Sequence, residues 1–540
     1  MKKNFILLFL FVSVLTLAQN YSNALIPMPN RMEEFSDKEI FKINNSTKIA
    51  YPGKGFEFEA KQLQSIINRQ MGINIDLSDQ PLKKSNTISL SIDPTLENRE
   101  AYCLKIGKSG IDIKGGSKAG LFYAIMTLDQ ILLGNSFYTQ QKQIVPLFIE
   151  DAPRFPHRIL MLDPARHFIP IEDVKRYVDV MAKYKYNTLQ LHLTDDQGWR
   201  VEIKKHPSLT TIGAKRNDKQ GMNGPDNGFY TQEQLKDLIV YATERNIEII
   251  PELDIPGHTV AMLAVYPELG CETPEETAKV IGKTTDLMLC ANNDKVYEVF
   301  KDVIYEIADL FPSNKIHLGG DEAAIEKNWA KCKHCQALKE KLGYKKDSEL
   351  MNYFFGNILS FVKEKNKTAV LWCELDNIRM PANEYLMNYP QDVILVSWRN
   401  GLTPKCLELT HKSNNQLILA PGEYTYLDYP QYKNDFPEFN NWGMPITTLK
   451  KTYQFDPGYG LPVEQQSHII GVSGTLWAEA IKDINRVFYM TYPRGLALAE
   501  AGWTNMEHRD WESFKKRLYP NLSNLMELGI PFRVPFEIVE

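Results

Sequence analysis

The rhythm of apolar positions changes near residue 153. Before it, Thr87–Ile92 and Tyr102–Ile106 alternate apolar and polar residues with a period of two, which predicts strands. Leu121, Phe122, Ile125, Leu128 and Leu132 recur at helical spacing after Gly115-Gly116 and predict an amphipathic helix. Beyond Asp151-Ala-Pro-Arg-Phe-Pro, short apolar runs occur at Ile159–Leu162, Thr188–Leu193, Ile247–Leu253, Lys315–Leu318, Ala369–Trp372, Val393–Trp398, Leu417–Ala420 and Ile469–Leu476. Between them lie helical patterns. Val174, Tyr177, Val178 and Met181 share one face, and Thr231 with Gln234 form a capping box ahead of Leu235, Leu238, Ile239 and Ala242. Val296, Val299, Phe300, Val303, Ile304 and Ile307 mark a third helix. Eight strands alternating with helices predict an α/β fold: a (β/α)8 TIM barrel over residues 154–540, preceded by a small α+β accessory domain over 19–153.

Residues 1–18 are expected to fall outside this fold. Lys2 and Lys3 precede an apolar run, Phe5–Leu17, that ends in small residues, the layout of a signal peptide cut after Ala18. The run is shorter than the ~20 residues of an ordinary membrane span, and no cysteine at the junction offers a lipid anchor. Export to the periplasm or beyond is the expectation. The 540 residues carry 62 Lys+Arg against 67 Asp+Glu, a net charge of −5, so there is no basic face for nucleic acid. Oligomeric state leaves no mark in the sequence. Of seven cysteines, Cys271 and Cys290 flank one irregular segment that they could close. Cys332 and Cys335 form a CxxC, but no second ligand pair at suitable spacing accompanies it. Disulfides or plain thiols are therefore expected, with no metal and no cofactor.

In a barrel of this kind the site lies at the C-terminal ends of the strands, and polar residues gather there. Strand one ends in Asp163, with Arg166 and His167 beyond. Strand two ends in Asp195-Asp196, strand three in Glu252 and Asp254 followed by His258, and strand four in Asp321-Glu322. Trp372, Trp398 and Trp477-Ala478-Glu479 follow strands five, six and eight, while Tyr426 and Asp428 follow strand seven. Carboxylates, an arginine and intervening aromatics describe a sugar pocket. In His317-Leu-Gly-Gly-Asp321-Glu322 the inward face carries His317, Gly319 and Asp321. Glu322 joins Asp321 only if the strand ends there and the backbone turns, and the two glycines would leave open space for a ligand ring. Paired acids can divide labour, one donating a proton and the other stabilising positive charge. The structural alternative makes Asp321 a helix cap and Glu322 a solvated first-turn acid.

The segments LDPARHF, LHLTDDQGWR, PELDIPGH, HLGGDE, YLDY and LWAE stand in the order and spacing of family 20 glycoside hydrolases, the β-N-acetylhexosaminidases. The resemblance runs from about Leu25 to Trp503 and takes in ALIPMPN and GLFYAIMTLDQIL of the accessory domain. It implies exo-acting removal of terminal β-linked GlcNAc or GalNAc, with Glu322 as general acid/base. Asp321 would orient the substrate's own 2-acetamido group, which attacks the anomeric carbon and leaves its configuration retained. It further implies that Arg166 grips the 3- and 4-hydroxyls and that Asp428 and Glu479 bind hydroxyls. Tyr426 would hydrogen-bond the acetamido oxygen, Trp372, Trp398 and Trp477 would wall its pocket, and Asp195 and His258 would stand behind the general acid. The sequence departs from the family at Pro164-Ala165, where a serine commonly precedes the arginine. It departs again at Cys373, where an acid is common, and at Ala323. Cys373 brings the packing under the acetamido pocket into question. Competing readings are a same-fold enzyme releasing a disaccharide, a secreted non-catalytic glycan-binding barrel, and a metal-dependent hydrolase using His192, Asp254, His258 and Asp321; activity surviving a chelator separates out the last.

Overall fold

A computed structural model describes residues 24–538 apart from 36–39, 81, 83–84, 140–142, 145, 217–225, 272–285 and 434–442. The expected leader at 1–18 lies outside the described residues. Eight parallel strands close on themselves: β1 (His157–Leu162), β2 (Thr188–Asp195), β3 (Glu248–Ile255), β4 (Lys315–Gly319), β5 (Thr368–Trp372), β6 (Ile394–Ser397), β7 (Leu417–Leu419) and β8 (Ile469–Leu476), with β1 paired to both β2 and β8. Each falls on an apolar run read from the sequence. The capping box at Thr231 forms as expected: Gln234 N–H donates to Thr231 Oγ1 and the Thr231 N–H donates to Gln234 Oε1, opening the helix Gln232–Glu244.

The barrel interior is divided. Ile159, Val370, Trp372, Ile394, Val396, Ile418, Ala420 and Ile470, from β1 and β5–β8 and the turn after β7, pack as an apolar cluster. On β2, Leu189, Leu191 and Leu193 join the outer core under the helices, leaving polar Gln190 and His192 between them. Gln190 donates to Glu252 Oε2 at 2.8 Å, His192 Nδ1 is 3.0 Å from the same oxygen, and His317 Nδ1 is 3.3 Å from Glu252 Oε1. Buried polar groups need partners of this kind, and the column they form rises toward Asp321.

The accessory domain is a seven-stranded sheet. Its order in space is Arg31–Glu34, Leu147–Asp151, Tyr102–Gly107, Gly110–Gly115, Thr87–Ile92, Lys48–Ala50 and Asp76–Ser78, with the helices Glu57–Met71 and Lys118–Thr139 against it. The second helix is not amphipathic as its spacing suggested: Gly120 to Asn135 are buried without a break. It packs on the sheet from one side and meets the barrel from the other, touching the last long helix, Trp511–Glu527. Gln130 donates to the Ile26 carbonyl, and Asp129 pairs with Lys183 at 2.5 Å and Arg69 at 3.0 Å.

The segment Leu25–Met28 is held by a buried ion pair. Arg517 Nη1 and Nη2 grip Glu500 Oε2 and Oε1 at 2.5 and 2.8 Å, while Met28 N–H donates to Glu500 and Arg517 donates to the Leu25 carbonyl. Removing one member leaves the other charged and dry. Glu500→Ala should therefore lower folding stability by about 3–5 kcal/mol, read from its denaturant midpoint.

Candidate active site

All eleven residues singled out from the sequence lie at the C-terminal rim of the barrel or just above it. Arg166 follows β1 in a turn closed by Asp163, whose Oδ1 accepts the Arg166 N–H at 3.0 Å. The guanidinium lies 2.7 Å from Asp195 Oδ2 and 3.2 Å from Asp163 Oδ2, donates to Gln197, and sits over the Trp477 ring at 4.9 Å. Burial opposes its charge, but Asp195 and Asp163 hold its pKa well above the ordinary arginine value. The family resemblance gives it a sugar's hydroxyls as partners; the structure shows two internal carboxylates, Asp163 and Asp195, against it, so its charge is part of the framework.

Asp195 is the hub. Its Oδ2 also meets His192 Nε2 at 2.8 Å, and its Oδ1 lies 3.3 Å from His258 Nδ1. Burial would raise its pKa, yet Arg166 and His258 hold it well below the usual range. The opposite nitrogen of His258 stands 3.7 Å from Asp321 Oδ2 and 3.7 Å from Glu322 Oε2. Burial disfavours the imidazolium, but Asp195 overrides it and keeps His258 protonated well above its normal range. A chain of alternating charge thus runs from Arg166 through Asp195 and His258 to the acid pair.

Strand β4 ends at Gly319, and Glu322 turns into the left-handed region at φ 49°, a conformation that a non-glycine residue rarely holds and that concentrates at functional sites. This turn lets adjacent residues face one pocket. The helix-cap alternative fails, because turns follow and the next helix begins at Lys333. The glycines serve a different purpose from the one expected. Gly319 (φ 62°) leaves room for Asp254, whose Oδ1 would lie 1.7 Å from a Cβ there, and Gly320 (φ 97°) faces Phe355 and Leu371. The space is filled by protein, not kept for a ligand ring. Burial and then the neighbouring Asp321 push Asp254 well above the carboxylate range, while its Oδ1 accepts the Gly320 N–H at 3.3 Å.

Asp321 is buried, with Oδ1 lacking a protein partner; burial raises its pKa, His258 opposes and Glu322 adds to the rise. Glu322 is half-exposed, and the His258 hydrogen bond holds it below the ordinary glutamate value. The aromatic wall stands opposite. Trp372 donates from Nε1 to Glu252 at 2.9 Å and meets Trp398 and Trp477 with ring centroids 6.5 and 5.8 Å apart. The Tyr426 hydroxyl, beside Trp477, has no acceptor for its proton, and Asp428 Oδ1 is likewise buried without a partner. Burial, then the nearby Glu479, drives Asp428 well above its usual range; burial also raises Glu479, against the pull of Arg166. Three buried oxygens without a hydrogen-bond partner, from the turn after β4 and the loop after β7, ask for a polar ligand.

Glu374 escaped the sequence reading. Trp398 Nε1 donates to its Oε1 at 3.1 Å and Arg399 lies 3.2 Å from its Oε2. The Trp372-Cys-Glu374 spacing after β5 repeats Trp477-Ala-Glu479 after β8, a signal that was available. Cys373, expected beneath the pocket, belongs instead to the outer core and neighbours Cys406, whereas Trp372 lies in the interior cluster. Successive side chains on a strand face opposite ways. Burial raises Glu374 to about 7, with Arg399 opposing and Asp321 and Glu322 adding. Folded, it retains a proton between the usual 4.5 and about 7 that the unfolded chain has lost, so stability falls as pH rises through that window, by about 3 kcal/mol in full. Melting temperatures from pH 5 to 8 should decline more for the wild type than for Glu374→Gln.

The expectation about cysteines also changes. Cys271 and Cys290 do not stand apart from the CxxC: their sulfurs join those of Cys332 and Cys335, all four within 4.8 Å of one another. Asp254, His258 and Asp321 also converge within that distance, as do His192, Glu252 and Asp254. In these groups His258 is shared with Asp195, and His192 is held between Asp195 and Glu252. They form an ionic network across three strands.

The sequence profile described as Glycosyl hydrolase family 20, catalytic domain, matches residues 155–506, and that of the family's domain 2 matches 22–152. The chain belongs to glycosyl hydrolase family 20. It is accordingly a glycoside hydrolase, with the family's domain 2 preceding a barrel. A β-hexosaminidase of Akkermansia muciniphila is 38% identical over 445 residues, 82% of this chain and 87% of that protein. Among solved structures, a family 20 exo-β-N-acetylglucosaminidase from Vibrio harveyi in complex with N-acetylglucosamine superposes with a TM-score of 0.81 at 31% identity, covering 95% of this chain and 79% of that one. A crystal structure of a β-N-acetylhexosaminidase gives 0.78 at 34% identity over 94% and 96% of the two chains.

Proposed function

We propose that this family 20 hydrolase removes terminal non-reducing β-linked GlcNAc or GalNAc by a retaining mechanism in which the substrate's acetamido group is the nucleophile. The observation that carries this reading is the buried Asp321 Oδ1 without a partner, facing the same pocket as the unpaired Tyr426 hydroxyl and the tryptophan wall. A carboxylate can accept an amide N–H and a phenol can donate to an amide oxygen; together they would hold an acetamido group bent toward its own anomeric carbon. Adjacent Asp321 and Glu322 cannot flank a sugar from opposite sides, as a two-carboxylate mechanism requires. Glu322 would protonate the departing oxygen. In the open pocket His258 keeps it ionised, but covering its half-exposed carboxyl with a sugar removes water and favours the proton. Arg166, Asp428 and Glu479 would grip the outer hydroxyls and end the pocket, which supports exo action.

Chito-oligosaccharides should release GlcNAc monomer from the first turnover, with the β-anomer seen first by NMR. Internal fragments without monomer would remove the exo assignment, and an initial α-anomer would remove retention. Among the described residues no helix is long and apolar enough to cross a membrane. Export is part of the proposal on the Lys2-Lys3 and Phe5–Leu17 pattern, checked by N-terminal sequencing of protein recovered outside the cytoplasm.

A further inference from the structure

The four-cysteine cluster lies outside the pocket and has no part in the chemistry above. Cys271 and Cys290 come from the loop after β3, Cys332 and Cys335 from the loop after β4, where Cys332 caps the helix Lys333–Leu342 and Cys335 sits in its first turn. Sulfur–sulfur separations are 3.7 Å for Cys271–Cys335, 3.6 Å for Cys290–Cys335 and 4.0 Å for Cys290–Cys332. Zinc bonded to four thiolates at about 2.3 Å sets a tetrahedron with edges of about 3.8 Å. Cys335 is nearly equidistant from two partners, and so is Cys290. Separate disulfides would require each sulfur to choose one neighbour, whereas a tetrahedral ion requires near-equality.

The backbone around the cluster is organised independently. Gly270 and Leu289 form an antiparallel bridge, and the Cys290 N–H donates to the Leu269 carbonyl at 2.9 Å, which brings Cys271 and Cys290 side by side. Asn292 Nδ2 donates to the His334 carbonyl at 2.8 Å and Trp329 Nε1 to the Leu289 carbonyl at 2.8 Å, joining the two loops. The Asn292 backbone N–H also donates toward the Cys290 and Cys335 sulfurs, a contact that suits thiolates. Cys290, Cys332 and Cys335 are buried and Cys271 is half-buried.

We propose that Cys271, Cys290, Cys332 and Cys335 bind one zinc ion that clamps the β3 and β4 loops together. Binding is a ligand exchange: four thiols lose four protons to solvent, four Zn–S bonds replace the hydrated ion's bonds to water, the waters leave, and nothing is oxidised. Soft sulfur donors in a closed tetrahedral set select zinc over hard cations, and with no open position the ion is structural. The clamp has a direct line to the acid pair. Leu289 N–H donates to the Pro256 carbonyl at 2.9 Å, two residues before His258, while Cys332 ends the turns that begin at Glu322. The ion would thus fix the two loops whose residues meet at His258, Asp321 and Glu322.

The full chain, purified without chelator or reductant, decides this through metal and thiol measurements that use no glycoside, so the outcome is independent of the hydrolase reading. Elemental analysis should give about one zinc per chain. A mercurial thiol reagent should release it stoichiometrically into a chromogenic indicator, and denaturation with EDTA should leave all seven cysteines open to alkylation. Cys335→Ser should lose at least nine-tenths of the zinc; should that variant not fold, the wild-type measurements stand alone. Growth on cobalt should yield thiolate-to-cobalt charge-transfer bands of a tetrahedral site. Metal-free protein with only three alkylatable cysteines before reduction would mean two disulfides and overturn the proposal. Seven free thiols without metal, or stoichiometric iron, would overturn it too.

Discussion

Glu322→Gln should lose 10²–10⁴ in turnover on substrates with a poor leaving group, such as a chito-oligosaccharide, and little on a dinitrophenyl glycoside. General acid catalysis contributes on that scale, and only where the departing oxygen needs its proton. Glutamine preserves the shape at φ 49° and the contact with His258 while removing the transferable proton. The measurement is a plot of log kcat against leaving-group pKa for both proteins. The variant's line should be much steeper, and parallel lines would dismiss Glu322 as the acid. The alkaline limb of the wild-type profile on the poor leaving group should also vanish, since activity there falls as the general acid loses its proton.

For Asp321→Asn, kcat should fall by about 10²–10³ while KM changes far less, because preorganised charge is felt most where positive charge develops. Burial disfavours the ionised form of Asp321, and His258, 3.7 Å away, offsets part of that cost. Asparagine removes that negative charge but keeps the bulk and one acceptor. Substrates bearing an electron-poor trifluoroacetamido group should react more slowly with the wild type, and a plain β-glucoside should be nearly inert. Equal rates for acetamido and trifluoroacetamido substrates, or a covalent sugar adduct on Asp321 found by peptide mapping, would assign the attack to the enzyme's carboxylate instead.

The eight barrel strands were legible because each is a short apolar run with a polar end, and the rim rule then located the candidate residues without any contact information. The supporting shell was harder to read. That Gly319 makes room for Asp254 depends on a positive φ and on which strand lies beside β4, and neither leaves a periodic trace. The carboxylate partners of Arg166 were not read from the sequence, because Asp163 meets it through a local turn and Asp195 only once β1 and β2 pair. Glu374 could have been found from the repeated Trp-x-Glu spacing, but attention to Cys373 concealed it. The cysteine cluster is assembled from two loops about 40 residues apart in the chain, so spacing within either pair says nothing of the other. Helix Lys118–Thr139 shows the opposite error: its apolar stripe was real, but its remaining face is apolar or paired because a second body covers it.

That shared helix alters what the accessory domain is. With Gly120 to Asn135 enclosed on every side, and Trp503 donating from the barrel's own helix to Asp151 of the sheet, the chain has no mechanical joint near residue 153. Cutting there would strip one wall from the barrel and leave a bare oily scar on its flank, along with a stranded Lys183 whose counter-ion had departed. The smaller body is therefore less a passenger than a buttress, and an engineer seeking a minimal enzyme would have to rebuild that flank before discarding it.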